Sequence, residues 1–261
     1  MGLNDGRECR TFLALALGLS GLLGVLLAAT GGPEGPGRNV LGFALMIVPA
    51  ASALATRARL EGLGWRLPLG WTLLGLVYPV AIFALGGLGA LAALGHLRPA
   101  EPPDLRRLAA SSAISLAILV PLALGEEIGW RGFLQPRFER LFGPRRGIVA
   151  VALVWALWHV PFAIQGYYQP DHPILGALVL APIAHLGIGV FFGWLHLRTR
   201  SVLVVALSHA MLNHGTKLPF RLFEPRPEDD LAMFVSVGAL LALGAAAILA
   251  RGASSADRRQ D

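Results

Sequence analysis

Cysteine occurs once in the chain, at Cys9, so no disulfide can form within it, and no CxxC or Cys/His cluster offers a structural zinc site. Charge is scarce as well. Asp, Glu, Lys and Arg make up 15% of 261 residues against 55% hydrophobic ones, and the mean hydropathy of +0.61 is too high for a soluble domain. The net charge of +6 forms no basic stripe or tract. That excludes a nucleic-acid partner and leaves the basic residues to mark the ends of apolar runs. Lysine is represented by Lys217 alone, a bias that hints at a GC-rich bacterial genome. There is no internal repeat and no HExxH, so the common zinc-protease helix is missing. Ser208 precedes His209, yet no base and orienting acid complete a serine-protease trio.

What remains is a set of apolar runs near the ~20 residues needed to cross a ~30 Å hydrocarbon core. Eight are expected, at about 11–29, 40–56, 69–95 with a kink at Pro79, 108–130, 147–164, 174–197, 201–216 and 231–250. The fold class is therefore all-α, a polytopic membrane protein with about eight transmembrane helices. One integral-membrane domain covers 1–250, with its chemistry-bearing core at about 108–216, and a short disordered tail follows over 251–261. Arg7 and Arg10 before an apolar stretch resemble a signal peptide, but 11–29 is too long for an h-region and reads as an uncleaved first helix. With eight spans and the N-terminus inside, cytoplasmic segments hold 15 Lys/Arg and the opposite side 7. This places both termini in the cytoplasm, in a bacterial plasma membrane. The stretch from Arg131 to Arg146, with Gln135-Pro136-Arg137 and Gly143-Pro144, reads as a polar connection that breaks and restarts helices.

Against this background Glu126-Glu127 stands out, because charge at membrane depth is costly and marks a functional site by default. Adjacent residues on a helix point ~100° apart. Glu127 is four residues from Arg131 and can pair with it, leaving Glu126 on the face of Leu122, Ala123 and Trp130. His159 lies among aromatic neighbours in Trp155-Ala156-Leu157-Trp158-His159, and His209 and Asn213 share a helix face at a spacing of four. Each taken alone is also what interfacial charge or polar glue between helices looks like. Together they offer a base (Glu126), an imidazole that can hold water (His159), and two donors for a developing oxyanion (His209, Asn213). His185, mid-span, is a candidate supporting partner of the site. His214 points to another face, and His96, His172 and His196 lie near span ends, where they read as solvated or interfacial. The depths do not match: from the cytoplasmic ends, His159 is ~20 Å in, Glu126 ~8 Å and His209 ~12 Å. Either the fifth helix begins outside the lipid or the fourth ends deeper than Arg131 suggests, and both in part is the favoured reading.

These residues resemble the CAAX protease and bacteriocin-processing (CPBP) family of intramembrane proteases, which includes the type II CAAX prenyl endopeptidases. The resemblance runs through Glu126-Glu127-xxx-Arg131, Trp155-xxx-His159 and His209-xxx-Asn213, reinforced by Gly193-Trp194-Leu195 leading through Arg198-Thr199-Arg200-Ser201, and covers about 120–215. Trp155 departs from the family's more frequent Phe, which touches the lining of the site rather than its chemistry. The resemblance implies a catalytic chamber open to the cytoplasm, with Glu126 activating water, His159 positioning it, His209 and Asn213 stabilising the oxyanion, and Glu127 and Arg131 bracing the helix. No cofactor is certain. The family is labelled metalloprotease, and if zinc binds, Glu126, His159 and His209 would be its ligands.

The expected function is an intramembrane endopeptidase acting on a peptide or membrane-protein substrate near the cytoplasmic face of the bilayer. Its rivals are a non-enzymatic membrane scaffold or sensor of the same fold and a proton-coupled transporter. Transport is disfavoured because no matched pair of broken helices marks inverted repeats. Substrate identity and oligomeric state are not legible, and Gly189 and Gly193 suit either an internal or an intersubunit contact.

Overall fold

The computed structural model describes residues 3–251 except Glu224; of the tail expected over 251–261, Arg251 ends the last helix and the rest lies outside the described residues. The described residues are helical, with no strand beyond an isolated bridge between Pro99 and Phe223. Eight helical rods follow one another: α1 (Leu3–Ala29), α2 (Arg38–Ala55), α3 (Leu69–Ala93), α4 (Leu105–Phe142), α5 (Pro144–Ala163), α6 (Pro173–Thr199), α7 (Val202–Gly215) and α8 (Asp230–Arg251). All but α7 are long and apolar enough to cross a membrane. The all-α, polytopic membrane architecture expected from the sequence is what is found.

The ends are set by local chemistry. Asp104 caps α4 by accepting from the backbone N–H groups of Arg106 (2.9 Å) and Arg107 (3.2 Å), and Ser201 caps α7 by accepting from Val204 (3.3 Å). Between α4 and α5 the chain breaks at one residue, Gly143, whose φ of 80° suits glycine, and Pro144 at once restarts the helix.

The expected polar connection from Arg131 to Arg146 is therefore corrected. After Glu127 the helix passes through a π-helical stretch, Ile128–Leu134, and continues to Phe142. Pro136 lies directly after the π-helical stretch, at the start of the α-helical segment that follows. Arg131, Gln135 and Arg137 are buried rather than poised at a membrane edge. Arg137 is held by Glu8 of α1 (2.7 Å), the carbonyl of Phe133 (2.9 Å) and that of Arg59 (3.1 Å). Arg140 beyond it pairs with Asp5 and Glu61. The fourth helix thus runs well past Arg131, which agrees with one of the two readings of the depth mismatch.

The short helix α7 is central. At 14 residues it rises only ~21 Å, and it packs against α3, α4 and α6. The longer helices around it face outward with exposed apolar side chains such as Val25, Leu73, Ile114 and Leu243. A helix enclosed in this way can carry polar groups without meeting lipid. Close approach comes from glycine. A Cβ on Gly129 would lie 2.5 Å from the carbonyl carbon of Pro49, so α4 and α2 meet at the backbone. Gly189 and Gly193 serve an internal contact, facing Ala152 and Ile148 of α5.

Candidate active site

Four helices bring one polar cluster into the interior. The turn of α4 just before its π-helical stretch carries Glu126 and Glu127, α5 carries Trp155 and His159, α6 carries His185, and α7 carries His209. Glu126 and His209 are each 2% exposed and His159 is 7% exposed. The two carboxylates take different hydrogen-bond partners. Glu127 forms a fully buried ion pair with Arg131 (2.9 Å), and the Arg131 guanidinium also donates to the carbonyl of Gly189 (3.4 Å) and lies over the rings of Phe192 and Trp155. Among the described residues no arginine forms an ion pair with Glu126. Its Oε2 accepts from the indole N–H of Trp155 (2.9 Å), and its Oε1 lies 3.8 Å from His209 Nε2.

His209 joins the two carboxylates. Its Nδ1 is 2.7 Å from Glu127 Oε1, so Glu127 binds both Arg131 and the imidazole. The role expected for Glu127, bracing its own helix through Arg131, is thereby extended: it also fixes the ring of His209 and turns Nε2 toward Glu126. His159 is oriented differently. Its Nδ1–H donates to the carbonyl of Trp155 one turn earlier (2.7 Å), which leaves Nε2 with a free lone pair. His185 repeats this arrangement with the carbonyl of Ala181 (2.6 Å), and its ring sits 4.0 Å from that of His159. The structure therefore places His185 directly beside the site.

Asn213 is not drawn into the cluster. It lies one turn beyond His209 on α7, half-buried, and among the described residues no hydrogen bond ties it to the glutamates or histidines. Nor do Glu126, His159 and His209 form a metal shell as they stand. Among the described residues, no three His, Cys, Asp or Glu side chains are placed to hold an ion. Elsewhere, His196 is buried and donates to the carbonyl of Gly62 (2.9 Å), so the solvated reading of it is corrected. Ser208 donates to the carbonyl of Gly75 (2.7 Å) and takes no part in the cluster.

Sequence reasoning passed over Trp155 as a participant and left its role with the lining. The signal was present: Trp155 is four residues before His159, hence on the same helix face.

The fold and the cluster together define a helical membrane protein with a buried, arginine-supported carboxylate and imidazole site. Residues 107–215 match the profile of the family described as "Type II CAAX prenyl endopeptidase Rce1-like". Over 107 residues the chain is 24% identical to "CAAX prenyl protease 2" of Methanococcus maripaludis, a match spanning 40% of each protein. Through this region the chain is similar to the type II CAAX prenyl endopeptidases, the family that the three motifs resemble, and the stretch matched by the family profile contains every residue of the cluster.

Proposed function

We propose that the chain is an intramembrane endopeptidase in which Glu126 activates a water for attack on a peptide bond. The observation that carries the reading is the division of labour between the glutamates. Arg131 and His209 both engage Glu127, while Glu126, two per cent exposed, forms no ion pair with an arginine among the described residues. A general base must be within reach of the proton it takes and free to take it. His159 Nε2 offers the acceptor that orients the water. As the water oxygen attacks the carbonyl carbon, its proton passes to Glu126 and the carbonyl oxygen becomes an oxyanion. Doubly protonated His209, through Nε2–H, and Asn213 stabilise that oxyanion. Collapse of the intermediate breaks the C–N bond, and Glu126 returns its proton to the leaving amine. No step is routed through a metal.

In this reading one domain covers 1–250, and its core at 108–216 holds the chemistry. The distribution of arginine supports cytoplasmic termini and a site near the cytoplasmic face of a bacterial plasma membrane. The substrate is a peptide or a membrane protein, and the name of the archaeal relative makes a C-terminal prenylated segment the first candidate. The test compares peptides accumulating in membranes that carry the wild type and Glu126→Gln. Uncleaved precursors enriched with the variant are expected. Identical peptide profiles would sink the proposal, and substrate-dependent proton flux in proteoliposomes abolished at Glu126 would favour a transporter instead.

A further inference from the structure

Glu126 is held from one side only. Among the described residues the one hydrogen bond it accepts comes from Trp155 Nε1, at 2.9 Å to Oε2, because the 3.8 Å to His209 Nε2 exceeds hydrogen-bond distance. A glutamate has three side-chain torsions, and in a site built for water activation its carboxylate must present one oxygen in one place. Here the indole fixes Oε2, and Oε1 is left facing His209.

The indole is itself closely packed. Trp155 is 1% exposed on α5, and the helix beside it approaches so closely that a Cβ on Gly189 would stand 2.8 Å from Ala152 Cβ and 3.4 Å from Trp155 Cε3. On the other side the Arg131 guanidinium lies 5.7 Å from the ring centre. Three imidazoles meet the same ring nearly edge to face: His159 at 4.9 Å and 83°, His185 at 5.1 Å and 72°, and His209 at 5.5 Å and 86°. Aromatic pairs prefer this arrangement to a face-to-face sandwich. Trp155 also supplies, through its backbone carbonyl, the acceptor that fixes His159 Nδ1. One residue therefore touches the carboxylate and all three imidazoles.

We propose that Trp155 is a positioning residue of the site, its indole N–H holding Glu126 Oε2 so that Oε1 faces the water, and its ring setting the planes of His159 and His209. The inference rests on the reading of Glu126 as the base, and the experiment separates the two. Trp155→Phe keeps an aromatic ring and removes the N–H. In full-length protein in proteoliposomes, acting on the precursor that accumulates with Glu126→Gln, this variant should lower kcat by about 10- to 100-fold, the scale of an ångström of misplacement. KM should stay within about twofold, since the indole is buried and reaches only the site's own residues. A merely structural role would lower the amount of folded enzyme without changing kcat per folded molecule.

A second measurement needs neither a substrate nor a variant at 155. Ultraviolet resonance Raman spectra of the indole N–H band are recorded for the wild type and for Glu126→Leu. The difference spectrum should show one indole of the six passing from hydrogen-bonded to free. Wild-type kcat in Trp155→Phe, or a null difference spectrum, overturns the inference while leaving the Glu126 reading standing if Glu126→Gln is silent. An active Glu126→Gln defeats that reading, and with it the positioning role.

Discussion

Arg131→Met is the sharpest test of how the interior is held together. Both partners of the Glu127–Arg131 pair are fully buried, with side chains 0% exposed. Removing the arginine leaves the Glu127 carboxylate to a single imidazole, and breaking a buried pair in this way costs about 3–5 kcal/mol. The guanidinium's contacts with the Gly189 carbonyl and the faces of Phe192 and Trp155 go with it. For a chain of this size ~1 kcal/mol moves Tm by about 2–4 °C, so a fall of roughly 6–20 °C is expected. The assay is built into the sequence. Cys9 is the one thiol and is buried, so a thiol-reactive fluorophore reports unfolding in detergent without engineering. Arg140→Met supplies the comparison, because Arg140 is 43% exposed where it pairs with Asp5. Exposed pairs contribute at most about 1 kcal/mol each. Replacing both buried partners, Glu127→Leu with Arg131→Met, should recover part of the loss, since an apolar pair carries no stranded charge. If Arg131→Met melts within 2 °C of the wild type, and no lower than Arg140→Met, the reasoning fails.

Two further outcomes follow. Asn213→Ala should lower kcat by about 10²–10³ if its amide faces the oxyanion, with Tm unchanged because no hydrogen bond ties it to the cluster; unaltered kcat would remove it from the mechanism. Outside the membrane-spanning segments, His96 Nδ1 lies 2.6 Å from Asp229 Oδ1, and that bond, followed by the backbone N–H of Arg226, holds the Asp229 carboxyl below its ordinary value. The unfolded chain then binds the proton more tightly, so this stabilisation is complete above about pH 3.9 and is lost as pH falls through the lowered value. Asp229→Asn should accordingly melt below the wild type at pH 7, the gap closing in acid, and a gap constant down to pH 3 would contradict this.

The helices were legible because apolar length is a strong signal, and the expected spans overlie all eight rods. Between Arg131 and Phe142 the reading went wrong for a physical reason. Arg131, Gln135 and Arg137 look like solvated surface in one dimension, but each finds a partner on another part of the chain: Gly189, Gly193 and Glu8 respectively. A sequence shows the charge and hides its partner. The pairing of Glu127 with Arg131 was legible because both lie on one helix four residues apart. The bond from His209 to Glu127 was not, because it joins residues 82 positions apart. His196 misled in the same way, its acceptor being the carbonyl of Gly62 in a distant loop. Trp155 is the instructive case, since its position relative to His159 was visible while the destination of its N–H depended on where α4 lies.

The central claim is that Glu126, and not its neighbour, takes the proton from water. The direct measurement is the single-turnover cleavage rate of Glu126→Gln in proteoliposomes, beside a thiol-reactive melt showing that the variant is folded. A loss of about 10²–10⁴, the range for a general base, at an unchanged Tm is the predicted result. A folded Glu126→Gln that cleaves within threefold of the wild-type rate would contradict the account.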